Sequence, residues 1–496
     1  MKKILIAVGI ILSQCAFLYA QGKDDFLNIR LDNRGPYLIL VTEPAGKEYS
    51  KAVLLAKKLH PEAILKTVSK DDITSVKELL HNVKPYYILW IMKPGELDAN
   101  FQWQWLKLVC ELDEDPFADA RTGFITGESP KAAAKFMNNI INAVNGKQKL
   151  PAVIIDNFGP NTMVGKYDFN KFPVCSILPA LSEKWPASSI SHGTEGFDDS
   201  RLSSMDGAGI VHFGGHGHPD RIDDGLTGAQ VRKLKLSPSV VFNGACYTGV
   251  TGTWFDIMTG KVKQKYMQAE KCFCLRILNS TVIGYLAALH PDHGIPVYQE
   301  MEYMAYTGES LGNVIKRSYD SVVLASGGKK PDFELLSEGM LSDRNPANIM
   351  MRGTASRVLF GDPALIVTDP ITEPPFIIEF NNKTKSRIML KAILKNARLM
   401  SSYTDTFYSD MSDTKQFNDR ALIDFVLPIE WDSIGSLKVI DVTAGDKHPA
   451  FKLIGYSVEK DGENNILHVQ VDLTSEGFMS SSFRSEGSEV ELLILR

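Results

Sequence analysis

Short apolar runs alternate with amphipathic stretches through most of this sequence, and that alternation narrows the folds open to it. Tyr37–Val41 (YLILV) and Tyr86–Met92 (YYILWIM) fit strands buried on both faces. Between them, EYSKAVLLAKKL and DDITSVKELLHNV carry apolar residues at helical spacing, the second behind an acidic start. The pattern continues. Ala152–Asp156, Gly209–Phe213, Ser239–Asn243 and Thr281–Leu289 read as strands. Pro130–Val144, LTGAQVRKLKL, Val297–Tyr306 and Leu311–Ala325 read as helices, with Pro130 suited to a first turn. Such an order predicts an α/β domain with a mostly parallel sheet. The segment DFNKFPVCSILPALSEKWPASS reads as a short helix with loops.

At Asp369–Pro375 (DPITEPP) three prolines in seven residues suit an extended linker. Beyond it the helical period fades, and ALIDFVLPI, SLKVIDV, ILHVQVDL and EVELLIL read as strands. In HVQVDL, Val469, Val471 and Leu473 share one face, and His468, Gln470 and Asp472 the other. The tail is expected to be a β-sandwich of immunoglobulin-like size, about 120 residues. It shows no site-like setting at His448 or His468.

The chain has 496 residues, enough for two or three domains, and a formal charge of −5. A basic excess suited to nucleic acid is missing. Residues 1–20 (MKKILIAVGIILSQCAFLYA) read as a secretory signal: Lys2 and Lys3, an apolar Ile4–Leu12, and Ala20 before the cut. Removing it takes two lysines and leaves a charge of −7. No later run reaches spanning length, so an exported chain without a membrane span is expected, whether extracellular, periplasmic or at the cell surface. Five cysteines then remain, Cys110, Cys175, Cys246, Cys272 and Cys274, and an odd count leaves at least one thiol unpaired within the chain. Cys110 and Cys175 are open to pairing, and in EKCFCLRIL one of Cys272 and Cys274 is expected in the core. Trp103 and Trp105 read as packing residues.

Two stretches carry chemistry. IVHFGGHG and VVFNGACYTG each run from an apolar strand through glycine to a reactive side chain, His216 and Cys246. Thirty residues separate the two, about what a strand–helix–strand unit needs. Parallel strands joined in this way end at one edge of the sheet, where open α/β folds bind ligands. An imidazole beside a thiol can deprotonate it or protonate a leaving group. The N–H groups of Gly217 and Cys246 are placed to donate to an oxyanion. A metal reading competes: HGHPDR, with His216 and His218, approaches a zinc-hydrolase motif whose further ligands would include His290 or His293. Arg221 replaces its last histidine, and the motif leaves VVFNGAC unexplained. His212 is expected to pack and His218 to stand at a pocket rim.

The ordered pair of strands ending in His-Gly and Ala-Cys resembles the caspase–legumain–gingipain clan of cysteine peptidases. GFITGESPKAAAKFMNNII, ESLGNVIKRSY and LFGDPALIV (Leu359–Val367) narrow the likeness to its gingipain-like members, although Phe124 stands where arginine is more usual. The resemblance spans roughly Tyr37–Val367, and a following immunoglobulin-like domain also fits. It implies a caspase-like sheet with helices on both faces and a cysteine endopeptidase acting on protein or peptide. His216 would be the general acid/base and Cys246 the nucleophile. Asp156 is the candidate acid orienting the histidine. Asp292, His293 and His218 are candidate substrate-binding residues, with Asp292 favouring arginine or lysine before the scissile bond. The alternative role for Asp292 is a turn with Pro291 and Gly294. No cofactor is expected for catalysis, while a structural calcium is compatible with it. The rival functions are an inactive homologue that binds a partner, and the zinc hydrolase. The expected organisation is a signal over 1–20, an α/β subdomain over 21–120, a caspase-like catalytic subdomain over 121–368 and the sandwich over 376–496. Oligomeric state is left open.

Overall fold

The structure, a computed structural model, describes residues 26–70, 72–158, 207–222, 226–231, 237–257, 262–292, 295–330, 346–371, 373–374, 376–395, 420–443, 452–472 and 489–496. The expected signal, Cys175, His293, His448 and the segment around 168–189 lie outside them.

Nine strands form one sheet: β1 Tyr37–Thr42, β2 Ile64–Val68, β3 Tyr87–Ile91, β4 Arg121–Ile125, β5 Ile154–Phe158, β6 Ile210–Gly214, β7 Ser239–Asn243, β8 Val282–Ala288 and β9 Arg357–Gly361. Side by side they run β2-β1-β3-β4-β9-β8-β7-β6-β5. Strands β1 to β4 are mutually parallel, and so are β5 to β8. Strand β9 is antiparallel to β8 and joins the two sets, with Phe360 opposite Phe124 of β4. The α/β class expected from the alternation is therefore present. Strand β4 begins at the expected subdomain boundary but stands with the N-terminal strands.

The apolar runs are strands because helices cover them. These are α1 Ser50–Leu59, α2 Ile73–Val83, α3 Ala99–Val109, α4 Pro130–Val144, α5 Ile295–Thr307, α6 Leu311–Ala325 and α7 Pro346–Ala355. Helix α4 packs on β8, and α6 on β4 and β9. Helix starts are capped by local acceptors: Asp98 takes the Phe101 N–H at 2.8 Å, and Ser129, just before Pro130, takes that of Ala132 at 3.2 Å. One apolar cluster runs from Leu27 to Ile371 through this sheet. Trp103 and Trp105 are buried in it, and so are both Cys272 and Cys274, where one core cysteine was expected. Cys110 is a buried free thiol.

The Gly-Asp-Pro stretch after β9 has a structural explanation. The Asp362 carboxylate accepts from the Tyr37 hydroxyl at 2.9 Å and the Ala364 N–H at 3.0 Å, and meets His60 Nε2 at 2.6 Å. The Tyr37 and His60 rings stack at 3.8 Å. Gly123 has to be glycine: a methyl group there would lie 2.3 Å from the Gly361 carbonyl oxygen.

The C-terminal strands are β10 Phe376–Lys383, β11 Arg387–Leu394, β12 Arg420–Val426, β13 Ser436–Thr443, β14 Lys452–Asp461, β15 Asn464–Asp472 and β16 Glu489–Leu495. They make antiparallel sheets β10-β11-β16-β13 and β12-β15-β14 around a second apolar cluster. The four-plus-three division is that of an immunoglobulin constant-type sandwich. Its strand order is its own, because the last strand, β16, lies between β11 and β13.

One sequence expectation changes here. His468 and Gln470 were placed on a polar face, yet both are buried. That face of the β12-β15-β14 sheet packs against α6. His468 Nδ1 meets Asp424 at 2.7 Å, and Nε2 meets Glu459 at 2.8 Å. Lys316 and Arg317 of α6 reach Glu459 at 2.9 Å and Asp424 at 2.8 Å, and Arg121 reaches Asp461 at 2.9 Å. Phe117, Val323, Leu324 and Leu422 form a small apolar cluster between the two parts.

Candidate active site

Strands β6 and β7 are neighbours in parallel register, with Phe213 opposite Asn243. His216 follows the end of β6 and Cys246 the end of β7, as the repeated strand-and-glycine pattern predicts. The turns are in contact. A methyl group on Gly217 would lie 2.1 Å from the Cys246 carbonyl oxygen and 2.6 Å from its nitrogen, so only glycine permits this approach. His216 is exposed and Cys246 half-buried.

The cysteine turn is held from within. Asn243 Oδ1 accepts the Ala245 N–H at 2.8 Å, and the Thr248 hydroxyl donates to the Ala245 carbonyl at 2.8 Å. Tyr247 has a φ of 61°, in the left-handed region that non-glycine residues rarely adopt. Its side chain is fixed by a hydroxyl donation to the Phe255 carbonyl at 3.1 Å and by edge packing on Trp254. Strained backbone directly after a reactive side chain is a recurrent feature of functional turns.

Three N–H groups act on the Cys246 sulfur, those of Asp292, Gly217 and Cys246 itself, and each favours the thiolate. The Asp292 N–H donates to Sγ at 3.2 Å, and the thiol donates to the Asp292 carbonyl at 2.9 Å. Burial and the Asp292 charge outweigh these donors and push the thiol up to about 12. At neutral pH the thiol is protonated, so a nucleophile here needs a base at the moment of attack.

Asp292 lies beside the thiol, but its carboxylate does not face outward. It is buried against Arg357 Nη1. Arg357, at the head of β9, also donates from Nη1 to the Asn243 carbonyl at 3.0 Å. It holds Glu300 of α5 through Nε and Nη2, each at 2.6 Å. The expected pairing of Asp292 with a basic substrate side chain is therefore corrected: the carboxylate already has an internal guanidinium. Arg357 and Glu300 were missed in the sequence. The available signals were an arginine at the head of a buried strand and a glutamate among the apolar residues of PVYQEMEYM.

The other candidates fall as follows. His218 is largely exposed in a hairpin opposite Arg221, and the partial burial of its ring, with the Arg221 charge, lowers its pKa. A cation in that position also opposes a metal ion at His218. His212 is buried in β6 and His290 under Trp103 and Tyr247. Asp156 lies in β5 with His212, not His216, opposite it, and its side chain is outside the described residues, as is His293.

No protein-family model matches the chain, and no curated protein matches it. Among solved structures it is similar to the complex of Porphyromonas gingivalis RgpB pro- and mature domains, at 10% identity and a TM-score of 0.46, covering 89% of this chain and 94% of that one. It is also similar to one described as "Structure of Protease", at 10% identity and a TM-score of 0.47, covering 94% of this chain and 96% of that one.

Proposed function

We propose that this chain is a cysteine endopeptidase in which Cys246 attacks the scissile carbonyl and His216 moves the proton. The observation that carries the reading is the contact of the His216–Gly217 turn with the Cys246 turn, which sets the reactive side chains at the ends of neighbouring parallel strands. In the acyl-transfer step His216 takes the thiol proton as sulfur bonds to the carbonyl carbon. The C=O π pair moves onto the carbonyl oxygen, which stays on the tetrahedral carbon as an oxyanion that the N–H groups of Gly217 and Cys246 stabilise. His216 then protonates the amine as the C–N bond breaks, and water, deprotonated by His216, hydrolyses the Cys246 thioester to release the acid and restore the thiol. Peptide or protein is the substrate, and no cofactor enters the chemistry. The N-terminal sequence supports an exported chain. Among the described residues, no helix is long and apolar enough to cross a membrane.

The test is Cys246→Ala and His216→Ala, assayed on a mixed peptide library with folding followed by circular dichroism. Each variant should lose at least about 10³-fold in kcat/KM with an unchanged spectrum. A chelator should leave the chemical step in place. Retained turnover in Cys246→Ala, or turnover restored by zinc, would overturn the assignment.

A further inference from the structure

Arg357 forms no part of the dyad, yet one of its nitrogens joins both segments that bracket the thiol. Nη1 contacts the Asp292 carboxylate and the Asn243 carbonyl, and Asn243 anchors the turn through the Ala245 N–H. Glu300, which also accepts from the Ser318 hydroxyl at 2.9 Å, holds the other edge of the guanidinium. All three charged side chains are almost fully buried.

We propose that Arg357 is a positioning residue for the Cys246 nucleophile: it locks the Asp292 backbone against the sulfur and offsets the Asp292 charge that opposes thiolate formation. The Asp292 N–H donates to Sγ at 3.2 Å, and its position depends on where the carboxylate is tied. A negative charge beside a thiol disfavours its ionisation, and a guanidinium bound to that charge weakens the effect. A lysine could not replace it, because it lacks the two parallel donors that Arg357 gives to the Glu300 carboxylate while Nη1 serves Asp292 and Asn243.

Other titratable groups surround the turn. His216 and His218 follow β6, His290 ends the β8 segment, and Arg352 is on α7. Asp256 is paired with Lys265 in the hairpin after the turn. None of these is altered by the variants below.

The proposal deepens the peptidase reading, since it takes Cys246 as the nucleophile, but its test needs no turnover. The readout is the pH dependence of Cys246 alkylation by iodoacetamide in the full chain, with Cys246→Ala as the blank. Asp292→Asn keeps the shape and removes the charge, so the profile should move down by about one pH unit. Glu300→Gln combined with Arg357→Gln removes the cation without leaving its main partner charged, so the profile should move up. Opposite shifts support the proposal whether or not the protein cleaves peptides. Equal profiles would overturn it, as would shifts in one direction. If the double variant does not fold, Arg357→Lys takes its place: it keeps one positive charge but loses the paired donors to Glu300, so the profile should still move up, and an unmoved profile sinks the idea. An inactive protein whose thiol still shifts as described would count against the peptidase reading only.

Discussion

At Cys246 the local chemistry is a contest between donors and charge. Three N–H groups favour the thiolate while burial and Asp292 oppose it, and the opposition wins in the resting state. Gly217 belongs to the favourable side, and its contact with the Cys246 backbone leaves no space for a side chain. Gly217→Ala should separate the turns and cost about 10²-fold in kcat/KM, the range seen when an oxyanion donor is lost. A melting temperature within a few degrees of wild type, measured alongside, would show that the loss is local. Undiminished kcat/KM would mean that Gly217 donates nothing to the reaction. The placement of His216, Gly217 and Cys246 past the ends of neighbouring strands was legible because both strands have a strong apolar signature. The fate of Asp292 was not, because its partner Arg357 lies 65 residues away and nothing in HPDHG announces it.

At the scale of elements, β9 is secured at both ends, by Arg357 at its head and by Asp362 just past its tail. Asp362→Ala would leave the Tyr37 hydroxyl and the Ala364 N–H without their acceptor and His60 without its partner. The expected loss is about 3 kcal/mol in urea denaturation. The thiol alkylation profile should not move, because Asp362 makes no contact with the Arg357 cluster among the bonds described. A stability change below about 0.5 kcal/mol would show that the cluster is dispensable. Strands covered on both faces, such as β3 and β7, were read correctly from their unbroken apolar runs. Strand β2 was missed for the opposite reason: ILKTV lies at the sheet edge, four of its five residues are exposed, and exposure removes the pattern that burial writes into a sequence. In β4, RTGFI is masked by a polar start and a glycine selected for contact with β9.

At the scale of the whole molecule, the sandwich is a docked layer. Alternation in HVQVDL revealed a strand but not that its polar face would be covered, since buried ion pairs and solvated charges look alike in sequence. Asp424 and Glu459 raise His468 from 6.5 to about 9 against its burial, and their own carboxyls are held far below the usual range by Arg317, Lys316 and His468. The His468 contribution is complete below pH 6.5 and is lost as pH climbs through about 9. The carboxylate contribution is present above the ordinary acid range and is lost as pH falls below it. Protein nicked within 369–375 should therefore elute as one species at pH 7 and begin to separate above about pH 9. Separation at pH 7 would show that the ion pairs do not hold the layers together. His468→Ala takes one partner from the half-buried Asp424 and one from the buried Glu459 while Arg317 and Lys316 remain, and should cost about 1.5–3 kcal/mol at pH 7 by chemical denaturation. A cost near zero would mean that Arg317 and Lys316 alone are enough to hold the two acids.

The placement of β9 also sets an order of events in synthesis. The strand between β4 and β8 is the last of the nine to leave the ribosome, after residue 356. Until then the four N-terminal strands and the four that carry His216 and Cys246 share no strand partner, and two sheet edges stay open. A growing chain is most exposed to mispairing in that interval. The same late strand brings Arg357, so the thiol acquires its full electrostatic surroundings only when the sheet closes.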